Sequence, residues 1–167
     1  MGWVKKHMMD MQENGDWPSR DLSDKYVCTC HFQDKYLNGI IESHGKQGTC
    51  SYCGKKHTVC DMYTLCEQIV WKIGLYFNSL DEAGLYLTNG FYDDEQEVIP
   101  GFKRIGEYVV PNNLTYYESV DELMCDLDLV TDEDDLNEDI KSCFTTEQWI
   151  SSDFDEEDRR STFCRSF

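Results

Sequence analysis

The chain of 167 residues has little positive charge and no long hydrophobic run. It carries 15 lysines and arginines against 33 acidic residues, which gives a net charge of −18. Phosphate contacts with nucleic acid and contacts with anionic membranes both need basic surface, so neither kind of binding is expected. No window approaches the roughly 18 apolar residues of a membrane-spanning helix, and no apolar leader opens the chain. We therefore expect a cytoplasmic protein.

Histidine is also scarce, because only four are present and none follows His57. This excludes Ser-His-Asp and Cys-His catalytic arrangements from the C-terminal half. A glycine-rich phosphate loop is missing too, so nucleotide binding has no support. Without a visible catalytic constellation, the sequence favours a protein that is not an enzyme.

Cysteine, by contrast, is abundant, with nine residues. The number is odd and a signal peptide is lacking, so a secreted disulfide framework is a poor interpretation. The cysteines between residues 28 and 60 are better explained by metal binding. Those on helical patterns are expected to be small buried hydrophobic side chains: Cys66, Cys125, Cys143 and Cys164.

Two short pairs of metal-ligand residues are the most informative motif. Cys28 and His31 form a C-x2-H pair, and Cys50 and Cys53 form a C-x2-C pair, with eighteen residues between the pairs. Two such knuckles about twenty residues apart are typical of a tetrahedral structural zinc site. We predict that these four residues bind Zn²⁺. A site with four protein ligands leaves no open coordination position, which favours a structural role.

Two other residues compete for this assignment. Cys30 would form a C-x-C pair with Cys28 and is the reserve ligand for His31. His57 could also reach the ion, although its four-residue offset from Cys53 fits a surface or strand position better.

The predicted fold is mainly α, with a zinc-knuckle or zinc-ribbon-like module packed on a small helical bundle. Residues 1–23 are expected to form a weakly ordered leader and residues 24–60 the knuckle module. A helical body spans 61–167. It contains an irregular aromatic loop or short hairpin at 78–117 and acidic helices at 118–158.

Helical periodicity and capping residues place the helices. The first covers Gln33 to Ser43, and a brief strand is expected from Lys55 to Cys60. The best helix follows Asp61 and continues to Phe77. Further helix starts are predicted at capping residues of the C-terminal part: Ser119, Thr131 and Thr145, the last opening a short turn around Trp149 and Ile150.

Acidic residues concentrate in residues 118–158, which hold 17 of them against the single base Lys141. We interpret this run as the solvated face of helices rather than as a dedicated mimic surface. A field this negative favours a basic partner.

Several segments resemble a known family. Cys28-Thr-Cys-His31-Phe-Gln-Asp-Lys-Tyr-Leu37 is similar to the opening C-x-x-C-F-x-D-x-x-L of the HEPN/RES N-terminal domain family, with His31 in place of the second cysteine. Gly48-Thr-Cys-Ser-Tyr-Cys-Gly54 is similar to its second knuckle. Asp139-Ile140 and Trp149 resemble its late positions, so the resemblance covers roughly residues 24–154.

The resemblance implies an accessory domain beside a RES domain, a fold associated with NAD-degrading bacterial toxins that antitoxins neutralise. The implied partner is a RES domain or an antitoxin. The catalytic RES domain would lie beyond Phe167, so the chain is either a fragment of a longer toxin or a free-standing relative. The Arg-x4-6-His ribonuclease motif of HEPN domains is missing from the C-terminal helices.

The charge distribution supports a second hypothesis. A small acidic phage-type inhibitor, or DNA mimic, would use the acids of 118–158 to occupy a basic site on a defence protein. A third hypothesis, an NAD hydrolase or ribonuclease, has no catalytic residues to support it.

Overall fold

A computed structural model of the protein describes residues 17–80, 85–86 and 100–151. Within these residues lie four α-helices and three antiparallel sheets of three strands each. The protein is therefore mixed α/β, and the prediction of a mainly α fold is wrong. The described strands are two to six residues long. Runs this short carry little of the apolar–polar alternation by which a strand is recognised in a sequence.

The helices and strands alternate irregularly along the chain. In chain order they are β1 (Tyr26–Cys28), α1 (Lys35–His44), β2 (Lys46–Thr49), β3 (Lys56–Asp61), α2 (Met62–Ile73), β4 (Phe77–Ser79), β5 (Leu85–Tyr86), β6 (Phe102–Ile105), β7 (Tyr108–Pro111), β8 (Tyr116–Tyr117), α3 (Val120–Asp126), α4 (Asp134–Lys141) and β9 (Trp149–Ser151). The strand orders in the three sheets are β1-β3-β2, β4-β9-β8 and β5-β7-β6.

The predicted cap of α2 at Asp61 is confirmed, and α1 begins at Lys35, two residues after its predicted start at Gln33. Asp34 caps α1 by accepting a hydrogen bond from the Leu37 N–H at 2.8 Å. Asp61 caps α2 in the same way through the Thr64 N–H at 2.9 Å. A short carboxylate at the N-cap satisfies an amide that has no partner within the helix, which is why both helices begin here.

The predicted end of the long helix is wrong. Helix α2 ends at Ile73, and Gly74 forms its C-cap. Phe77, which continues the helical spacing in the sequence, instead begins β4 and pairs with Ser151 of β9. Pairing with a strand more than seventy residues away overrides the local periodicity.

The predicted turn around Trp149 is a strand. Strand β9 is central in its sheet and pairs antiparallel with both β4 and β8. The capping pattern from Thr145 onward is local, whereas the partners of β9 come from distant parts of the chain. For residues 78–117 the prediction left open an irregular loop or a short hairpin, and β6 and β7 form a paired hairpin there.

The capping prediction at Ser119 is confirmed, because its hydroxyl accepts the Glu122 N–H and α3 starts at Val120. The next helix, α4, begins only after Glu133, whose side chain makes no capping bond. Thr131 contacts this segment instead through Asn137 and the Glu133 backbone.

One large buried cluster joins the N-terminal part to all four helices. Apolar residues from the segment before β1 through β9 contribute, including Trp17, Leu22, Leu37, Leu65, Ile69, Leu123, Leu136 and Trp149. Most of the acidic side chains of α3 and α4 lie outside this cluster and face solvent. Among the described residues, none of the helices has the length and apolar character needed to cross a membrane.

Candidate metal centre

The two predicted knuckles face each other at one end of the first sheet. The ligand atoms of Cys28, His31, Cys50 and Cys53 all lie within 4.8 Å of one another. The Cys28 and Cys53 sulfurs are 3.7 Å apart, and the Cys50 sulfur is 3.3 Å from Nε2 of His31. Zinc–sulfur bonds near 2.3 Å in a tetrahedron require sulfur atoms about 3.8 Å apart. The group can therefore hold a metal ion, although its role as the actual ligand set stays a prediction.

Local backbone geometry forms each knuckle. Cys28 ends β1, and a 3₁₀ turn over Thr29–His31 directs the His31 ring back toward it. In the second knuckle, the Cys50 N–H donates to the Lys55 carbonyl at 3.0 Å and the Gly54 N–H to the Cys50 carbonyl at 3.0 Å. Gly54 has φ +69°, a left-handed conformation that glycine adopts without a Cβ penalty.

Hydrogen bonds also connect the two knuckles. The Ser51 N–H donates to the Tyr26 carbonyl at 2.7 Å, and the Tyr26 N–H donates to the Ser51 hydroxyl at 2.9 Å. These bonds hold the second knuckle against β1 beside Cys28.

The electrostatic setting differs among the four side chains. Burial raises the pKa of the Cys28 thiol, which is fully shielded from solvent. A hydrogen bond from the Lys55 N–H lowers the pKa of Cys53 and favours its thiolate. Burial lowers the pKa of His31, so its imidazole is neutral and can donate a lone pair.

The reserve ligand Cys30 lies in a different group. Its sulfur is 3.6 Å from Nε2 of His57, and together with Cys28 these atoms also lie within 4.8 Å of one another. His57 is on β3, as its sequence position suggested. Cys28 is therefore shared between two groups of candidate ligands.

A buried carboxylate that the sequence interpretation missed lies behind the centre. Asp139 of α4 is completely buried, and its Oδ2 accepts the Tyr52 hydroxyl at 2.8 Å and Lys25 Nζ at 2.5 Å. Arg20 lies 3.1 Å from its Oδ1. Asp139 is thus an exception to the solvated face that the acidic run predicts. The sequence does indicate this burial, because the helical spacing from Leu136 and Ile140 places Asp139 on the apolar face of the helix.

Tyr52 connects this carboxylate to the candidate centre. Tyr52 stands between Cys50 and Cys53 in the chain, and its ring packs edge-on against His31 with centroids 6.0 Å apart. Burial and the hydrogen bond to Asp139 both raise the pKa of the Tyr52 hydroxyl. Its proton therefore stays in place, and the tyrosine acts as a donor toward α4.

An acidic cleft of about 500 Å³ opens beside His31. It separates the start of α1 from the segment that follows α3. Its lining consists of His31, Phe32, Gln33, Asp34, Lys35, Cys125, Asp128, Val130, Thr131 and Asp132. Three carboxylates face a single lysine there, and burial raises the pKa of Asp34.

The cysteines outside the centre behave differently from one another. Cys66 and Cys143 are buried as predicted, but they are joined by a disulfide that links α2 to the end of α4. Cys125 is exposed, so its predicted burial is wrong. It lies on the solvent side of α3, which is too short for its periodicity to be decisive. Cys164 falls outside the described residues.

A family model described as HEPN/RES N-terminal domain 1 matches residues 43–166. The match includes Cys50, Cys53 and Asp139, and it begins after Cys28 and His31. Neither a curated protein nor a solved structure matches the chain significantly.

Proposed function

Because the chain belongs to the HEPN/RES N-terminal domain 1 family, we propose that it is a non-catalytic, zinc-stabilised domain that acts by binding a protein partner. The partner that its family context favours is a RES domain. The observation that carries the proposal is the convergence of Cys28, His31, Cys50 and Cys53 within 4.8 Å.

The donor set favours zinc over other common ions. Three thiolates and one imidazole suit Zn²⁺, whereas Mg²⁺ and Ca²⁺ prefer oxygen ligands. An ion held by four side chains has no free position for a substrate, so its contribution is to the fold. The ion would add bonds to the small cluster at this end of the sheet, which consists of Cys28, Cys50 and Val59 and is separate from the large core.

The acidic cleft beside His31 is the surface that we assign to the partner. Asp34, Asp128 and Asp132 give it a negative field, which would attract a lysine- or arginine-bearing segment of the RES domain. Val130, which is 54% exposed, adds an apolar contact at the rim.

Two substitutions that each remove one negative charge, one inside the cleft and one outside it, test this surface. Asp128 has φ +53° and Asp24 has φ +61°, and asparagine tolerates this backbone conformation as well as aspartate does. Asp128→Asn should weaken binding to a purified RES domain several-fold in calorimetry at low salt. Asp24→Asn, which lies outside the cleft, should leave the affinity unchanged. Equal effects of both changes would assign the loss to net charge rather than to the cleft.

Enzymatic activity is the outcome that would contradict the non-catalytic assignment. Incubation of the zinc-loaded protein with NAD and with RNA should leave both intact. Turnover that a point substitution abolishes would overturn this part of the proposal.

An acidic inhibitor of a basic defence protein is the second candidate. The exposed acids of α3 and α4, such as Asp121, Glu122 and Asp135, favour it. If the chain mimics DNA, duplex DNA should compete with it for a basic partner. Competition of this kind, with no binding to a RES domain, would favour the inhibitor.

A further inference from the structure

A second group of potential ligands lies on the solvent side of the candidate zinc site. Cys28, Cys30 and His57 bring their ligand atoms within 4.8 Å of one another. Cys30 is exposed and His57 is half-buried, while Cys28 is fully buried. The group thus extends from the first site toward the surface.

The β1–β3 register and the turn that follows β1 explain why these residues meet. In the β1–β3 ladder, Cys28 lies opposite Val59, Val27 opposite Cys60 and Tyr26 opposite Asp61. The 3₁₀ turn over Thr29–His31 follows Cys28 directly and brings the Cys30 sulfur to His57. Residues two apart on a strand point to the same face, so His57 and Val59 share the face that Cys28 meets. The pairing belongs to the fold rather than to a chance surface approach.

The distance between the Cys30 sulfur and the His57 ring nitrogen fits a tetrahedral ion. Zinc–sulfur bonds near 2.3 Å and zinc–nitrogen bonds near 2.0 Å place sulfur and nitrogen about 3.5 Å apart. The Cys30 sulfur and Nε2 of His57 are 3.6 Å apart.

We propose that the protein holds a second zinc-class divalent ion, bound by Cys30, His57 and a Cys28 thiolate that bridges both ions. The first ion keeps its four ligands, Cys28, His31, Cys50 and Cys53. This inference rests on the proposed zinc site and adds an ion to it.

Charge balance supports two ions over one. A single divalent ion leaves the thiolates of Cys28, Cys50 and Cys53 with a net negative charge beside a protein that is already strongly acidic. With Cys30 included, four thiolates match the charge of two divalent ions, and both histidines bind as neutral ligands. A neutral cluster also costs less to place around the buried Cys28 sulfur than a charged one.

The second ion differs from the first in its access to solvent. Three protein ligands leave one coordination position, and the exposure of Cys30 places this position at the surface. Water would complete the coordination, and a small thiol could replace it.

The competing interpretation is that Cys30 and His57 are alternative ligands for a single ion. The number of bound ions per chain distinguishes the two interpretations. Native mass spectrometry and elemental analysis of the zinc-loaded chain should give two ions per chain. Cys30→Ala and His57→Gln should each give one, with the far-ultraviolet circular dichroism spectrum retained. His44→Gln, an exposed histidine outside both groups, is the matched control and should keep two.

The wild-type count separates this inference from the proposed function. One ion per chain would overturn the second site and leave the zinc-stabilised domain intact, whereas no ion would overturn both. Two ions that persist in Cys30→Ala would also overturn the assignment. In the cobalt-substituted protein, a bridging Cys28 thiolate predicts magnetic coupling between the two ions. Two uncoupled cobalt signals would exclude this bridge.

Discussion

The Tyr52 hydroxyl donates a hydrogen bond of 2.8 Å to the buried carboxylate of Asp139. This contact joins the second knuckle to helix α4 across 87 residues of sequence. Because Lys25 and Arg20 also contact Asp139, the carboxylate ties the segment before β1, the knuckle and the acidic helices to one point. The candidate metal centre is thereby attached to the helical part of the protein by a polar contact as well as by packing.

Removal of the Tyr52 hydroxyl tests this attachment. Tyr52→Phe keeps the ring against His31 but deletes a hydrogen bond to a charged acceptor, which should cost about 2 kcal/mol of unfolding free energy. Urea denaturation measures the loss. Tyr26→Phe is the matched control, because its hydroxyl makes only an exposed 3.4 Å contact with Lys46. Equal stability of the two variants would show that the Tyr52 bond contributes nothing.

Neutralising Asp139 should be more costly than neutralising an exposed acid. Asp139→Asn leaves Lys25 and Arg20 beside a neutral amide, and loss of one partner of a buried ion pair costs about 3 to 5 kcal/mol. Since both cations are partly exposed and can turn toward water, we expect about 3 kcal/mol. Asp121→Asn breaks a pair with Lys141 in which Asp121 is 68% exposed, and should cost less than about 1 kcal/mol. Thermal denaturation of the two variants provides the comparison.

The sequence identified the candidate ligands because their spacing is a local property. Caps at Asp61 and Ser119 were likewise predictable from a few neighbouring residues. The strand conformation of Trp149 and Phe77 was not predictable, since each lies in a strand whose partners are far away in the chain. The Cys30–His57 approach was not predictable for the same reason, because it depends on the pairing of β1 with β3 and on the turn that follows β1.

Gly54 should be required for the geometry of the second knuckle. Gly54→Ala places a Cβ at φ +69°, where the space around it is open, so the cost is conformational and about 1 kcal/mol. Gly54→Asn should cost less, because asparagine tolerates the left-handed region. Competition with a chromogenic chelator measures the zinc affinity, which should be highest for the wild-type protein, lower for Gly54→Asn and lowest for Gly54→Ala. A tighter alanine variant would contradict this reason for the glycine.

The disulfide between Cys66 and Cys143 should stabilise the core independently of metal. It closes a loop with a sequence separation of 77, and loss of such a bond typically costs about 2 to 4 kcal/mol. The double variant Cys66→Ala and Cys143→Ala should therefore unfold at lower urea concentration and keep its zinc content. Cys125→Ala, which changes an exposed cysteine, is the control. A parallel loss of zinc in the double variant would show that the two features are coupled.

Zinc content measured together with folding tests the central claim most directly. Chelation of the purified protein, followed by elemental analysis and circular dichroism, should remove zinc and unfold the two knuckles, because Cys28 and Cys50 belong to a small cluster that is separate from the large core. Added Zn²⁺ should restore both signals, and the double variant Cys50→Ser and Cys53→Ser should lose the ion of the first site together with the fold of the knuckles. A chain that contains no zinc and keeps its full fold would contradict the account.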